Sequence, residues 1–182
     1  RTIRSGDLFS CIAGAWDGHR FADAAVRAGA AGVVIEKDIP LNGIGQAAVI
    51  RTDNVRLALK RLASAHRTRC NDKVWIAATG SIGKTTTKEL VAHLAAAGFG
   101  SDAVAKADKS FNNDLGVPLT VLKADAAHQA VCTEIGTNAP GEIRSLAEIV
   151  KPDICILIGG APLHLEGLGY WNGIAQEKSA LI

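Results

Sequence analysis

Hydrophobic residues in the second half of the chain fall into short continuous runs, and each run is followed by a segment with helical spacing. Strands are predicted at Val74–Thr79, Ala130–Ile135 and Asp153–Ile158. Helices are predicted at Lys84–Ala97, Leu115–Leu122, Pro140–Val150 and Gly173–Ile182. Runs that are apolar throughout are typical of strands covered on both faces. Their alternation with helices predicts a parallel, mainly buried sheet.

The first part of the chain carries fewer and shorter elements. Its pattern predicts a helix over Phe21–Ala30 and strands at Gly32–Ile35 and Ala47–Ile50. A glycine-containing turn follows the helix and leads into the first strand. These elements predict a small α/β unit.

A longer helix is predicted from Asn54 to about Arg69, with Asp53 as its N-cap. Its apolar face is predicted to hold Val55, Leu59 and Leu62. After this helix, Asn71-Asp72 is a turn signal. We therefore expect a domain junction at this turn.

Two α/β domains follow from this division. Residues 1–71 form a small N-terminal domain, and residues 72–182 form part of a second domain with a mainly parallel sheet. Because the chain stops after one further helix, we expect the second sheet to be incomplete. The first residue is Arg1 and the chain has no Met, so we expect a fragment of a longer protein.

Composition narrows the class of protein. The 182 residues are 48% hydrophobic, enough for a sizeable core, and the net charge is +2 without a long basic run, so no nucleic-acid partner is indicated. No apolar stretch has the length of a membrane span, and the sequence shows no signal-peptide pattern. The four cysteines are widely spaced and show no metal-ligand pattern, which favours reduced, buried thiols in a cytoplasmic protein.

The segment after the first strand of the second domain fits the phosphate-binding loop pattern [AG]-x-x-x-x-G-K-[ST]. It begins at Ala78 and continues through Thr79, Gly80, Ser81, Ile82, Gly83, Lys84, Thr85 and Thr86. In such a loop Lys84 would reach the β- and γ-phosphates of ATP, and the Thr85 hydroxyl would bind Mg²⁺. A glycine-rich turn with an exposed lysine is the alternative. The predicted strand before the loop and the helix after it favour nucleotide binding.

Two further polar residues follow predicted strands, where ligands of open α/β sheets bind. Glu134 is near the end of its strand and could bind Mg²⁺, or it could be an exposed residue at the sheet edge. His164 follows the third strand, and its residue type is compatible with a structural role or with a ligand role. By residue type alone, Lys178 would be a solvated surface lysine and Asn112-Asn113 a capping pair in a loop.

Several motifs in the order of the chain resemble the Mur ligases. They are Arg4-Ser5-Gly6-Asp7-Leu8-Phe9, Asp17-Gly18-His19-Arg20-Phe21, the segment from Thr79 to Glu89, the segment from Lys109 to Thr120, the segment from Glu134 to Ile143, and the segment from His164 to Gly169. Together they span almost the whole chain. The segments from Thr79 and from Lys109 are most similar to family members that add D-alanyl-D-alanine.

The resemblance implies roles for individual residues. Glu134 and His164 would hold Mg²⁺, and Lys178 would be carbamylated so that its carbamate helps bind a second Mg²⁺. Lys84, His164 and Lys178 would be the catalytic residues. Asn112 and Asn113 would face the nucleotide-sugar substrate. The N-terminal domain would bind the UDP end of that substrate, and a C-terminal domain that binds the dipeptide is absent from this chain.

The resemblance also implies an activity. The expected reaction is ATP-dependent addition of D-Ala-D-Ala to UDP-N-acetylmuramoyl-tripeptide through an acyl phosphate, by a monomer in the cytoplasm. A sister ligase that adds another amino acid, or a folylpolyglutamate or cyanophycin-type ligase, is an alternative within the class. A non-catalytic nucleotide-binding paralogue and a generic P-loop kinase or switch are alternatives from other classes. We expect the fragment alone to be inactive.

Overall fold

The computed structural model describes residues 3–14, 16–40, 45, 47–159 and 171–182. Its strands are β1 (Leu8–Ser10), β2 (Gly32–Ile35), β3 (Ala48–Arg51), β4 (Val74–Gly80), β5 (Val104–Lys106), β6 (Ala130–Glu134) and β7 (Ile154–Ile158). Its α-helices are α1 (Ala22–Arg27), α2 (Val55–Arg69), α3 (Lys84–Phe99), α4 (Gly116–Val121), α5 (Glu142–Val150) and α6 (Trp171–Ser179). Two short 3-10 helices cover Gly18–Phe21 and Ser101–Ala103.

The chain forms two compact units, Arg1–Leu59 and Lys60–Ile182. The division between them falls inside α2, whereas the pattern placed the domain junction after residue 71. The assignment of domains at that junction stays a prediction. In both units the strands are parallel, so the α/β class and the parallel sheets predicted from the pattern are confirmed.

The first unit contains a three-stranded sheet in the order β1-β2-β3. Val33 on β2 is fully buried and lies opposite Phe9 on β1 and Val49 on β3. The predicted helix over 21–30 is shorter than expected, because a 3-10 turn takes its start and α1 ends at Arg27. At Gly29 the backbone has φ of 108°, a conformation that ends the helix and that glycine adopts without strain.

Helix α2 differs from the prediction in its N-cap and in one residue of its buried face. Its N-cap is Asn54 rather than Asp53, because the Asn54 Oδ1 accepts a hydrogen bond from the Leu57 N–H at 2.8 Å. Leu62 is exposed, and Ala63 is buried in its place. The buried positions Val55, Leu59 and Ala63 are spaced by four residues, so the buried stripe turns gradually around the helix and leaves Leu62 outside it.

The second unit contains a four-stranded sheet in the order β5-β6-β4-β7. Successive residues of β4 point to opposite faces, and each face has its own core. Ile76 packs with Ala92 of α3 in one core. Trp75 and Ala77 belong to the other core, which includes residues of α4 and α5. Burial on both faces explains why β4 is apolar along nearly its whole length.

Strand β7 is the last in the described order and is more exposed than β4 or β6. Ile154, Cys155 and Leu157 are exposed on it, whereas Cys11, Cys70 and Cys132 are buried. The expectation that all four thiols are buried is therefore wrong for Cys155, since in the described sheet it has a strand neighbour on one side only. Among the described helices, none is both long and apolar enough to cross a bilayer.

Candidate functional site

The segment between β4 and α3 is shaped by two glycines. A Cβ atom on Gly80 would lie 2.1 Å from the carbonyl oxygen of Ile158, so no larger residue fits where β7 passes this point. Gly83 is the N-cap of α3 and has φ of 87°, which glycine adopts without strain. The loop therefore turns tightly from the strand into a helix whose N-terminal amides point toward the carboxyl edge of the sheet.

Lys84, the first residue of α3, folds back over this loop. Its ammonium donates hydrogen bonds to the carbonyl oxygens of Gly80 at 2.9 Å and Ser81 at 3.2 Å. The charge therefore lies directly above the loop, where a phosphate would compete for it with two neutral carbonyl groups. A phosphate is the stronger acceptor because a charge-assisted hydrogen bond is stronger than a neutral one.

The other residues predicted to contact the nucleotide are placed differently. Thr79 is fully buried, and its hydroxyl donates to the carbonyl oxygen of Ile135 at 2.8 Å, so its side chain links β4 to the segment after β6. Ser81 is buried in the loop, and its N–H donates to the Gly159 carbonyl oxygen at 3.2 Å. Ile82 and Thr86 are exposed. The Thr79 hydroxyl is therefore engaged by the Ile135 carbonyl oxygen, whereas the Thr86 side chain is accessible in the first turn of α3.

Glu134, at the end of β6, is buried and receives one hydrogen bond on each oxygen. The Thr85 hydroxyl donates to Oε2 at 2.8 Å, and the Asn112 side-chain amide donates to Oε1 at 2.8 Å. Both donors are neutral, and a buried carboxylate is costly without an opposite charge. Hydroxyl and carboxylate oxygens are the ligands that Mg²⁺ prefers, so this donor set fits a magnesium ion.

The two predicted asparagines have separate structural partners. The backbone carbonyl oxygen of Asn112 accepts from the Gly136 N–H at 2.8 Å, so its side chain lies beside the end of β6. The side-chain oxygen of Asn113 accepts from the N–H groups of Leu115 at 3.2 Å and Gly116 at 2.9 Å, which caps α4. The capping interpretation thus describes Asn113, while Asn112 belongs to the Glu134 network.

Lys178 of α6 is buried rather than solvated, contrary to what its residue type alone suggests. Its ammonium donates to the Gly80 carbonyl oxygen at 3.1 Å, so Lys84 and Lys178 share that acceptor. Burial, and next the charge of Lys84, lower the pKa of Lys178 from its ordinary value. A lowered pKa increases the neutral amine fraction, which is the form that reacts with carbon dioxide to give a carbamate.

A cavity of about 610 Å³ opens beside these groups at the carboxyl edge of the second sheet. Lys84, Asn112 and Asn113 line it, together with Lys60, Asp114, Gly136, Thr137, Asn138, Pro140, Gly141, Glu142, Ser145 and Leu146. The sequence analysis missed the residues between 136 and 146 as lining residues. They directly follow β6, so the rule that ligands bind beyond strand ends could have identified them.

Glu177 of α6 was also missed, and it is buried. Its carboxylate accepts hydrogen bonds from the backbone N–H groups of Gly141 at 2.6 Å and Ile143 at 2.8 Å. These bonds cap α5 from another part of the chain, and a carboxylate suits the positive end of a helix dipole. Nothing in the local sequence indicates this contact.

His164 lies outside the described residues. Within the described part of the chain, no three His, Cys, Asp or Glu side chains are grouped closely enough to form a metal site by themselves. The described residues therefore bring together Lys84, Thr85, Asn112, Glu134 and Lys178 around one end of the sheet.

Comparison with known proteins identifies the relatives of this chain. The profile of the Mur ligase middle domain matches residues 78–182. A UDP-N-acetylmuramoyl-tripeptide–D-alanyl-D-alanine ligase of Haemophilus influenzae is 37% identical over 182 residues, which is 97% of this chain and 38% of that protein. The chain spans about two fifths of the length of the curated relatives it matches.

Solved structures give the same result for the fold. A crystal structure of MurF from Acinetobacter baumannii matches with a TM-score of 0.86 and 32% identity, over 98% of this chain and 38% of that one. MurF ligase from Thermotoga maritima, solved in complex with ADP, matches with a TM-score of 0.83 and 29% identity, over 99% of this chain and 40% of that one.

Proposed function

Because this chain belongs to the Mur ligase family, we propose that it supplies the ATP-binding and acceptor-substrate part of a ligase that joins D-alanyl-D-alanine to UDP-N-acetylmuramoyl-tripeptide. The observation that carries the proposal is the convergence of Lys84, Thr85 and Glu134 beside one cavity. The names of the relatives supply the substrate class. The proposal concerns the complete ligase, of which this chain corresponds to about two fifths.

In the first step, a carboxylate oxygen of the tripeptide substrate attacks the γ-phosphorus of ATP and ADP leaves, giving an acyl phosphate. The reacting groups are all anionic, so the protein must place them and offset their charge. The N–H groups of the loop after β4 and the N-terminus of α3 would hold the phosphates. The Lys84 ammonium would leave its carbonyl partners for the β- and γ-phosphates.

Magnesium fits the same place. Thr85 and Glu134 would hold it, and the bound ion would neutralise charge on the phosphate oxygens. Lys178, if carbamylated, would add a second carboxylate-like group near Gly80. The Thr85 hydroxyl, which donates to Glu134 Oε2 in this structure, would then present its oxygen to the ion. Asn112 would remain on the other oxygen and keep the carboxylate oriented.

In the second step, the amine of D-Ala-D-Ala attacks the acyl carbon, the amide bond forms and phosphate leaves. The attacking amine must lose a proton. None of the described residues is assigned as its base, and His164 would be unsuitable while its ring nitrogen binds a metal. The cavity lined by Asn112, Asn113 and the start of α5 would hold the acyl end of the nucleotide-sugar substrate.

The remaining assignments extend this function to the rest of the chain. Residues 1–71 would bind the UDP end of the substrate, and residues 72–182 would be the incomplete ATP-binding domain. The dipeptide would be bound by a part of the complete ligase outside the two fifths of the relatives' length that this chain matches. We place the ligase in the cytoplasm as a monomer. The isolated chain would therefore bind nucleotide without catalysing ligation.

A phosphate-release assay tests the function. The complete ligase that carries this chain is incubated with ATP, Mg²⁺ and UDP-N-acetylmuramoyl-tripeptide, with and without D-Ala-D-Ala, beside Lys84→Ala. Release that requires the dipeptide and is lost in the variant supports the proposal. Release that requires a different amino acid indicates a sister ligase. Absence of substrate-dependent release from a folded, ATP-binding protein indicates a non-catalytic paralogue.

A further inference from the structure

Lys88 is a buried charge that the proposed mechanism does not use. It lies on α3 one turn after Lys84, and its side chain is 0% exposed. Lysine is almost never fully buried unless its charge is paired. A buried ammonium on the helix that follows the nucleotide loop therefore requires an explanation.

The partners of Lys88 lie in the segment between β5 and α4. Its ammonium donates to the carbonyl oxygens of Ala107 at 2.9 Å and Lys109 at 2.8 Å. The third partner is the carboxylate of Glu89, whose Oε1 is 2.7 Å away. Three donors and three acceptors match, so the ammonium has its full set of hydrogen bonds.

These bonds fix a turn whose backbone is strained. Lys109 has φ of 49°, in the left-handed region that residues other than glycine seldom adopt. The N–H of Phe111 donates to the Asp108 carbonyl oxygen at 3.0 Å and closes the turn. Lys88 therefore holds the carbonyl groups on both sides of Asp108, and the next residue after the turn is Asn112.

Both donors to Glu134 are connected to α3, one directly and one through the segment that Lys88 holds. Thr85 of that helix donates directly to Oε2. Asn112 donates to Oε1 from the segment that Lys88 holds. The Asn112 carbonyl oxygen also accepts the Gly136 N–H at 2.8 Å, at the edge of the cavity.

We propose that Lys88 is a positioning residue that holds the turn at 107–111 so that Asn112 orients Glu134 and the adjacent cavity wall. The statement rests on the proposed function only for its kinetic consequence. The bond from Lys88 to Lys109 also joins two separate motifs of the chain. Lys88 belongs to the segment from Thr79 to Glu89, and Lys109 begins the segment from Lys109 to Thr120. The three partners of the Lys88 ammonium lie outside the nucleotide loop and do not line the cavity, so its effect on the site passes through Asn112.

The variant Lys88→Met tests this role, because it keeps the length of the side chain and removes its donors. Lys88→Gln is the second variant, which retains a neutral donor and serves if methionine prevents folding. Lys123→Met is the matched control. Lys123 pairs with Asp108 on the same turn from a partly exposed position, so its loss should leave the turn in place.

The kinetic experiment is a double-mutant cycle with Asn112→Ala in the complete ligase. Lys88→Met should lower kcat/KM for the nucleotide-sugar about ten-fold or more, while ATP affinity stays within about two-fold. In the Asn112→Ala background the same change should add less than about two-fold, because its effect passes through Asn112. Equal losses in both backgrounds would overturn the proposal.

A second readout is independent of activity. Hydrogen exchange of the Gly136 amide should be faster in Lys88→Met than in the wild type or Lys123→Met. The Ile135 amide, which donates to the Ala78 carbonyl oxygen at 2.9 Å, is the internal control and should keep its protection. Faster exchange at Ile135 as well would indicate a general loosening of the sheet. Unchanged exchange at Gly136 overturns the positioning role. Faster exchange at Gly136 in a ligase without dipeptide-dependent release supports the positioning role and rejects only the proposed function.

Discussion

Both units contain a parallel sheet, but the buried polar side chains of the two units have different kinds of partner. In the first unit, buried His19 bonds Asp17 of its own turn and accepts the Glu36 N–H, so its partners are local or backbone groups. In the second unit, buried Glu134 and Lys178 approach one loop from separate elements. A polar side chain buried for structural reasons can be satisfied by neighbouring or backbone groups, as His19 is, whereas bringing two charged groups to one loop costs desolvation energy and indicates a site.

Among the single substitutions that test this comparison, we expect the largest effect, a loss of activity, from a change at Glu134. Glu134→Gln keeps the shape and the bond from Thr85, but its new amide N–H₂ faces the amide donor of Asn112. We expect dipeptide-dependent phosphate release by the complete ligase to fall about 10²-fold to 10³-fold, with a higher Mg²⁺ requirement. A magnesium titration of the release rate measures both effects.

Glu142→Gln is the control for that change. Glu142 also lines the cavity, but it accepts the backbone N–H groups of Asn138 at 2.7 Å and Ala139 at 3.2 Å. Its loss should cost less than about ten-fold, because it caps a turn and holds no ion in the proposed mechanism. Equal losses in the two variants would contradict the metal role of Glu134.

The next effect concerns the stability of the two sheets. Gly80→Ala places a methyl group 2.1 Å from the Ile158 carbonyl oxygen, and Gly32→Ala places one 2.9 Å from that of Ala48. Each neighbouring strand must move, so we expect a lower free energy of unfolding, by about 3 kcal/mol at Gly80 and less at Gly32. Urea denaturation of the chain measures the change.

Gly98→Ala should change the free energy of unfolding in the opposite direction. Gly98 lies in α3, and beyond its chain neighbours and the backbone of its own helix no atom lies within 4 Å of an added Cβ. Alanine there should raise the free energy of unfolding by about 0.5–1 kcal/mol, because glycine is the poorer helix former. Destabilisation of similar size in all three variants would show that close strand approach is not the cause.

A third, smaller effect is expected at His19. It tests whether this buried histidine, unlike Glu134 and Lys178 of the second unit, affects stability alone. His19→Phe removes the acceptor of the Glu36 N–H, bonded at 3.1 Å, and leaves a buried donor unpaired. We expect a loss of about 1–3 kcal/mol in stability. Nucleotide affinity, measured by calorimetry on the same variant, should change less than about two-fold. A parallel loss of affinity would contradict the structural role assigned to His19.

The sequence pattern predicted the longer elements because their signals are strong. The continuous apolar run at β4 indicates burial on both faces, and the observed strand extends only one residue past the prediction. Strands β1 and β5 have three residues each and were not predicted, since so short a segment has no period to detect. They form because longer strands beside them offer hydrogen-bonding partners.

The candidate site was predictable where it follows strand ends and not where it depends on tertiary contacts. The loop pattern and Glu134 were identified because parallel strands bring their carboxyl ends to one edge. Lys88 and Glu177 were not, since a charged residue on a helix is normally expected to face solvent. Their partners at Ala107 and Gly141 are far away in sequence, so only the fold reveals them.

The smallest expected effect is at Cys155, the exposed thiol of β7. Burial raises the pKa of Cys11 in the first unit and of Cys132 in the second to about 11, so both stay protonated at pH 8. Only the thiolate reacts quickly with an aromatic disulfide reagent. Burial raises the pKa of Cys155 too, but its side chain is exposed whereas those of Cys11, Cys70 and Cys132 are buried. We therefore expect Cys155 to react first in the native chain and the other three thiols to react after denaturation.

Cys155→Ser should remove the fast phase and leave the other three thiols slow. Because Cys155 is exposed, stability should change by less than about 0.5 kcal/mol. Cys132→Ser is the comparison, since it changes a buried position of the sheet and should leave the fast phase intact. A second fast thiol in the native chain would show that one of the buried sites opens more readily than its burial indicates, and loss of that phase in Cys11→Ser, Cys70→Ser or Cys132→Ser would identify which.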